Sequence, residues 1–327
     1  MTNVYDAFRS PAEYEEDILR NEGKFIGIGM LSLAFLSQYL FAGVLLLLLQ
    51  CGVPLVNADD WGLGNTAYLI LSSVSYALMM GLPMVFAMLF TRDYRRPFAA
   101  HKRVPFGTAL CLVLIGLGGC MVSNMIASSW SMFLELFNLY PPENSSTMEA
   151  TPLSLLLNLI SMAVLPAILE EMVFRGFVLQ SVRKLGDPAA IVISALLFGA
   201  MHENLWQLPF ATIIGLILGW IVVKTENIWL AVIIHFLNNT VAVVTEYIGL
   251  YGEELSNLAV ILLFGVLVML AIAATAFLMY KRSPILVPPR AVRTNLSPRD
   301  RRRAFLCSPW IIFSWVTFGV VTIWRML

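Results

Sequence analysis

An all-α, polytopic transmembrane helical bundle of about eight to nine spans is the fold class this sequence predicts, and three observations predict it. Apolar residues far outnumber charged ones. They gather in runs long enough to cross a bilayer. Lysine and arginine return mainly in every second connecting segment. Hydrophobic residues make up 59% of the 327-residue chain and charged residues 13%, and mean hydropathy is +0.79. A soluble domain carries roughly 25% charged residues. With so little polar surface to face water, lipid must be the main solvent.

The first segment, 1–24, is polar and rich in acids (Glu13, Glu15, Glu16, Asp17). It lacks the basic start and early apolar run of a secretory signal, and is expected to be a cytoplasmic N-terminal segment. Apolar runs of spanning length follow at 25–50, 67–90, 108–136, 152–180, 188–206, 208–223, 228–248, 257–280 and 304–324. Asn204 and Pro209 interrupt the fifth and sixth, and Pro309 falls inside the ninth. The stretch 281–303 holds Pro284, Pro288, Pro289 and Pro298 with eight basic residues, and reads as a flexible basic loop. No strand-like alternation and no internal repeat accompanies these runs. The organisation expected is a 25–149 set of N-terminal helices, a 150–250 core, and a 251–327 C-terminal part containing the basic loop.

Basic residues set membrane orientation. Arg9, Arg20 and Lys24 precede the first span. Arg92, Arg95, Arg96, Lys102 and Arg103 lie between the second and third, and Arg183 and Lys184 follow the fourth. The loops at 51–66, 137–151 and 249–256 have no basic residue and carry acids such as Asp59, Asp60 and Glu253. This alternation places the N-terminus in the cytoplasm and, with nine spans, the C-terminus outside. A net charge of zero gives no sign of nucleic-acid binding. Cys51, Cys111, Cys120 and Cys307 are scattered, which argues against a zinc ribbon or a disulfide framework. Asn144-Ser145-Ser146 fits a glycosylation sequon, a short pattern that arises often by chance.

Charged side chains at membrane depth are costly and generally functional. The run LPAILEEMVFRGFVLQ carries Glu170, Glu171 and Arg175; ALLFGAMHENLW carries Phe198 and His202; WLAVIIHFLNNT carries His235 and Asn239. On a helix, residues four apart share a face, which joins Glu171 to Arg175, Phe198 to His202, and His235 to Asn239. At 1.5 Å per residue, Glu170 lies about 15 Å from Gln180, His202 about 22 Å from Asp187, and Asn239 about 16 Å from Ile228. Helices of alternating direction therefore bring these groups to one slab near mid-membrane, as a shared site would require.

The parts suit addition of water to an amide. A carboxylate in apolar surroundings suits a general base. A neighbouring imidazole can share the proton and orient the water, while a second imidazole and a carboxamide can stabilise an oxyanion. The structural alternatives are equally concrete. Single buried His or Asn residues act as interhelical glue. Glu171–Arg175 reads as a structural ion pair, and Gly215 with Gly219 as a GxxxG packing face. Glu170, His202 and His235 could also supply a His₂Glu zinc set with an open water position, although no H-E-x-x-H is present. A non-catalytic membrane scaffold, an immunity or regulatory protein, or a transporter would be a different class of answer.

The three clusters in order resemble the CAAX-protease and bacteriocin-processing family, whose motifs EExxxR, FxxxH and HxxxN or HxxxD fall on successive membrane helices. Here they read Glu170-Glu171-Met172-Val173-Phe174-Arg175, Phe198-Gly199-Ala200-Met201-His202 and His235-Phe236-Leu237-Asn238-Asn239, over roughly 150–250. The resemblance implies an intramembrane endopeptidase with a cytoplasm-facing cavity, acting on a membrane-embedded or lipid-anchored peptide or protein within the lipid bilayer. It implies Glu170 as general base acting on water with His202, and His235 with Asn239 as oxyanion site. Glu171 and Arg175, with Phe198, would be the supporting shell. No cofactor is expected, with zinc the alternative. The family includes prenyl-protein, bacteriocin-leader and membrane-regulator substrates without choosing between them, and oligomeric state is not specified. The short loops favour a bacterial plasma membrane.

Overall fold

The computed structural model describes residues 10–51, 65–91, 100–141, 148–287 and 294–326. Asp59, Asp60, Arg9, Arg92, Arg95, Arg96, the sequon at Asn144, Pro288, Pro289, Arg290 and Arg293 lie outside the described residues. The helices are α1 (Pro11–Gln50), α2 (Asn65–Thr91), α3 (Phe106–Glu135), α4 (Pro152–Leu185), α5 (Asp187–Met201), α6 (Leu208–Thr225), α7 (Ile228–Gly249), α8 (Glu253–Tyr280), α9 (Pro298–Leu306) and α10 (Pro309–Trp324). Among the described residues there is no strand, only an isolated bridge between His101 and Asn227. Among the described residues, seven helices are long and apolar enough to span a membrane, or eight if the bent pair α9–α10 forms one span. The chain is a polytopic helical bundle.

Several boundaries differ from the sequence expectation. The polar N-terminal segment is already helical from Pro11, because Ser10 and Glu13 form a capping box: the Glu13 N–H donates to Ser10 Oγ at 3.3 Å and the Ser10 N–H to Glu13 Oε2 at 2.8 Å. At 40 residues, α1 extends well beyond the thickness of a hydrocarbon core. The fifth run stops at Met201, giving α5 only 15 residues. Asn204 Oδ1 then accepts the N–H groups of Trp206 and Gln207, and Pro209 occupies the first turn of α6, where a missing N–H costs nothing. The basic stretch is not a loop up to 303, since Ser297 caps α9 at Pro298. The expected ninth span is broken at Ser308–Pro309, where α9 and α10 meet at 63°.

The basic segments collect at one end of the bundle. Lys184 pairs with Glu22 at 2.6 Å and Arg183 with Glu226 at 2.8 Å. The Lys102 N–H donates to the Glu226 carbonyl at 2.7 Å, and Asn295 N–H to Glu15 at 2.8 Å. From that end α5 rises to a turn at 202–207 and α6 returns. Their close approach depends on Gly215, whose added Cβ would lie 2.8 Å from Ala195 Cα, a backbone atom that cannot swing aside. Gly219 is looser, meeting Ile191 Cγ2 at 3.4 Å. Gly215→Ala is therefore expected to destabilise by about 1–3 kcal/mol through overpacking. Gly219→Ala should cost less in the same thermal unfolding measurement in detergent; equal effects would contradict this packing.

The turn at 202–207 is tied to the outer helices. Glu203 takes a left-handed conformation, φ 49°. It is buried, accepts from Ser37 Oγ at 2.9 Å and Gln38 Nε2 at 2.7 Å, and pairs with Arg325 at 2.9 Å. The acidic neighbour of His202 thus joins the turn to α1 and to the end of α10.

Candidate active site

Helix α4 carries the carboxylates, and it is not a regular α-helix. Its turns widen to π geometry at Leu159–Val164 and again at Met172–Val178. Such widenings recur at functional sites. Pro166 contributes to the first. It has no N–H to return to the Met162 carbonyl one turn back. That carbonyl instead accepts from Asn239 Nδ2 on α7 at 3.0 Å. Around the second, Ser194 Oγ donates to the Phe174 carbonyl at 3.0 Å and Gln180 Nε2 to the Arg175 carbonyl at 3.2 Å. Glu170 and Glu171 sit on the short α-helical stretch between the two widened turns.

The two adjacent glutamates face different surroundings. Glu171 and Arg175 are fully buried, and Arg175 Nη1 donates to Glu171 Oε1 at 2.8 Å. Arg175 also approaches the Gly215 carbonyl at 3.4 Å and places its guanidinium 4.3 Å from the centre of the Phe198 ring. The same Glu171 oxygen lies 2.9 Å from His235 Nδ1. A carboxylate only accepts, so His235 carries its proton on Nδ1 and turns Nε2 away from the pair. Glu170 lies on the cavity side. Its Oε1 accepts the hydroxyl of Tyr76 from α2. Its Oε2 is 3.8 Å from His235 Nε2 and has no hydrogen-bond partner among the described residues. Glu171 Oε2 is likewise without a hydrogen-bond partner, so what distinguishes Glu170 is its place in the cavity lining.

His202 caps α5. Its Nδ1–H donates to the Phe198 carbonyl at 2.9 Å, leaving Nε2 available. Phe198 holds the imidazoles in place from one side, with ring centres 5.0 Å from His202, 6.0 Å from His235 and 5.2 Å from Phe174. Asn238 Nδ2 donates to Asn239 Oδ1 at 3.1 Å, which orients the Asn239 carboxamide with one N–H on Met162 and the other spare.

All four residues expected to carry chemistry, Glu170, His202, His235 and Asn239, border one cavity of about 1000 Å³. Met121, Met125, Phe210, Ile214 and Phe264 line its apolar part. The supporting trio is also assembled, Glu171 and Arg175 beneath the cavity and Phe198 in its wall. The sequence did not indicate the Glu171–His235 contact, Tyr76 or Asn238. Tyr76 belongs to no motif, and Asn238 was overshadowed by its neighbour. Pro166 was a legible signal for the Asn239 contact.

The zinc alternative would need three donors converging on one point. Among the described residues no group of three His, Cys, Asp or Glu is disposed to hold a metal ion.

Comparison with known proteins agrees with the motifs. Residues 152–241 match the family described as type II CAAX prenyl endopeptidase Rce1-like. A Bacillus subtilis (strain 168) protein described as a candidate membrane peptidase, YdiL, is 27% identical over 99 residues, which is 30% of this chain and 39% of that protein. The chain thus spans about two fifths of the length of that curated relative, at 39%. No solved structure matches. The matched stretch contains every motif residue and the two widened turns of α4, and it is in this stretch that the chain is similar to that family.

Proposed function

We propose that this protein is an intramembrane endopeptidase that hydrolyses a peptide bond of a membrane-embedded or lipid-anchored substrate with a glutamate-activated water. The observation that carries the reading is the pairing of two unlike glutamates. One oxygen of Glu171 meets both Arg175 and His235 and the residue lies outside the cavity lining, whereas Glu170 borders the cavity. In this mechanism Glu170 Oε2 takes a proton from water as its oxygen attacks the scissile carbonyl. His202 Nε2 accepts the other hydrogen of the same water and aligns it. The carbonyl becomes a tetrahedral oxyanion, received by the spare N–H of Asn239 and, when His235 is protonated, by its Nε2–H. Glu170 then returns its proton to the leaving amine, which breaks the C–N bond. Glu171 holds the His235 ring throughout. The basic end of the bundle, with α1 starting there, would face the cytoplasm.

The test is cleavage of a membrane-anchored peptide library by the purified protein, followed by mass spectrometry, with and without a strong chelator and beside Glu170→Gln. Cleavage by wild type alone, indifferent to the chelator, is the expected result. Cleavage that disappears with chelation would move the reaction to a metal. Cleavage retained by Glu170→Gln would remove Glu170 from the mechanism. If neither protein cleaves and Glu170→Gln retains full function in the cell, the scaffold reading replaces the enzyme.

A further inference from the structure

Tyr76 lies on α2, 94 positions before Glu170 and outside the matched stretch 152–241. It is nonetheless built into the site. It borders the cavity, its ring packs against the buried cluster that includes Phe174 and Phe198, and its hydroxyl donates to Glu170 Oε1. A glutamate reaches its carboxylate through single bonds, and the last torsion is broad. Without a partner on one oxygen, the carboxylate plane is free to rotate, and neither oxygen has a fixed direction. The groups facing it are Tyr76 from α2, His235 from α7, His202 across the cavity, and Glu171 and Arg175 beneath it. Among these, Tyr76 makes the direct hydrogen bond. His235 Nε2, at 3.8 Å, is beyond hydrogen-bonding distance.

We infer that Tyr76 is a positioning residue for Glu170: its hydroxyl holds Oε1 and so turns Oε2 toward Nε2 of His235, which itself borders the cavity. The inference rests on the reading of Glu170 as the general base. It assigns to a helix outside the catalytic stretch the task of orienting the reacting carboxylate, and it explains why that stretch alone would leave Glu170 without a fixed direction. The phenol keeps its proton in this role, and no bond to it is made or broken.

The experiment is Tyr76→Phe in the full chain in detergent, with two readouts. In kinetics, kcat should fall about 10²-fold, as for a small misplacement of a reacting group, while KM stays within about twofold, since the ring and the cavity wall are kept. In infrared spectra, the carboxyl band assigned to Glu170 by its loss in Glu170→Gln should move in Tyr76→Phe. A merely structural tyrosine would change stability and move neither kcat alone nor that band. Unchanged kcat with an unmoved band overturns the inference. The infrared readout needs no substrate, so it separates two failures. Glu170→Gln that still cleaves defeats the catalytic reading, whereas an unmoved band defeats the hydrogen bond. Should Tyr76→Phe not fold, ring-labelled tyrosine in wild type carries the test. A phenolic C–O band that changes on Glu170→Gln supports the contact, and one that does not overturns it.

Discussion

Glu170→Gln is expected to lower cleavage by at least about 10²-fold, toward the 10⁴-fold limit associated with a positioned general base, while leaving the protein folded. The substitution keeps the shape of the side chain, and the amide oxygen can still accept the Tyr76 hydroxyl. What it removes is the group proposed to take the proton of the attacking water. Thermal unfolding in detergent should therefore be little changed, and turnover of a membrane-anchored peptide should carry the whole effect. The neighbouring Glu171→Gln separates the two carboxylates. It weakens a contact shared by Arg175 Nη1 at 2.8 Å and His235 Nδ1 at 2.9 Å, so it should reduce both stability and turnover. An active Glu170→Gln beside an inactive but stable Glu171→Gln would reverse the assignment.

Arg175→Met is the substitution expected to cost most in stability, about 3–5 kcal/mol, because removing one partner of a buried ion pair strands the other. Arg175 is the largest fully buried side chain among the described residues, with no exposed surface. Its guanidinium joins Glu171 on its own helix to the Gly215 carbonyl on α6 and covers Phe198 on α5. Losing it leaves the Glu171 carboxylate with His235 alone. Neutralising both partners, as Arg175→Met with Glu171→Gln, should recover much of the lost stability, since desolvating the two charges was itself costly. Activity should not return, because the His235 ring loses its charged anchor. The pair is measured as a double-mutant cycle of unfolding free energies. Equal stability of Arg175→Met and wild type would show that the pair does not hold α4, α5 and α6 together.

Sequence reading and structure agree over most of what is local. Burying apolar surface in lipid requires runs of fixed length, so the bundle and most of its spans are visible from residue types alone. The 3.6-residue period places Arg175 on the face of Glu171, and both spacing and ion pair hold. Order and depth put Glu170, His202, His235 and Asn239 on membrane helices, and all of them border the one cavity. Local signals also account for the breaks at Asn204, Pro209 and Pro309. The capping box at Ser10 and Glu13 was equally local but sat in a polar segment, where apolar periodicity gives no cue.

Contacts between helices were decided only by the tertiary structure. Which of two adjacent glutamates meets His235 and which borders the cavity depends on how α4 rotates against α6 and α7, and the widened turns Leu159–Val164 and Met172–Val178 alter that rotation. Tyr76 reaches Glu170 across 94 positions, and Glu203 joins α1 to the end of α10. No period along one helix specifies such partners. The sequence by itself determined a polytopic helical bundle and the polar residues that border its cavity, because length, polarity and helical spacing are properties of single segments. Their pairing, and the direction each functional atom faces, came from packing, where one rotation of a helix exchanges a buried ion pair for a group open to the cavity.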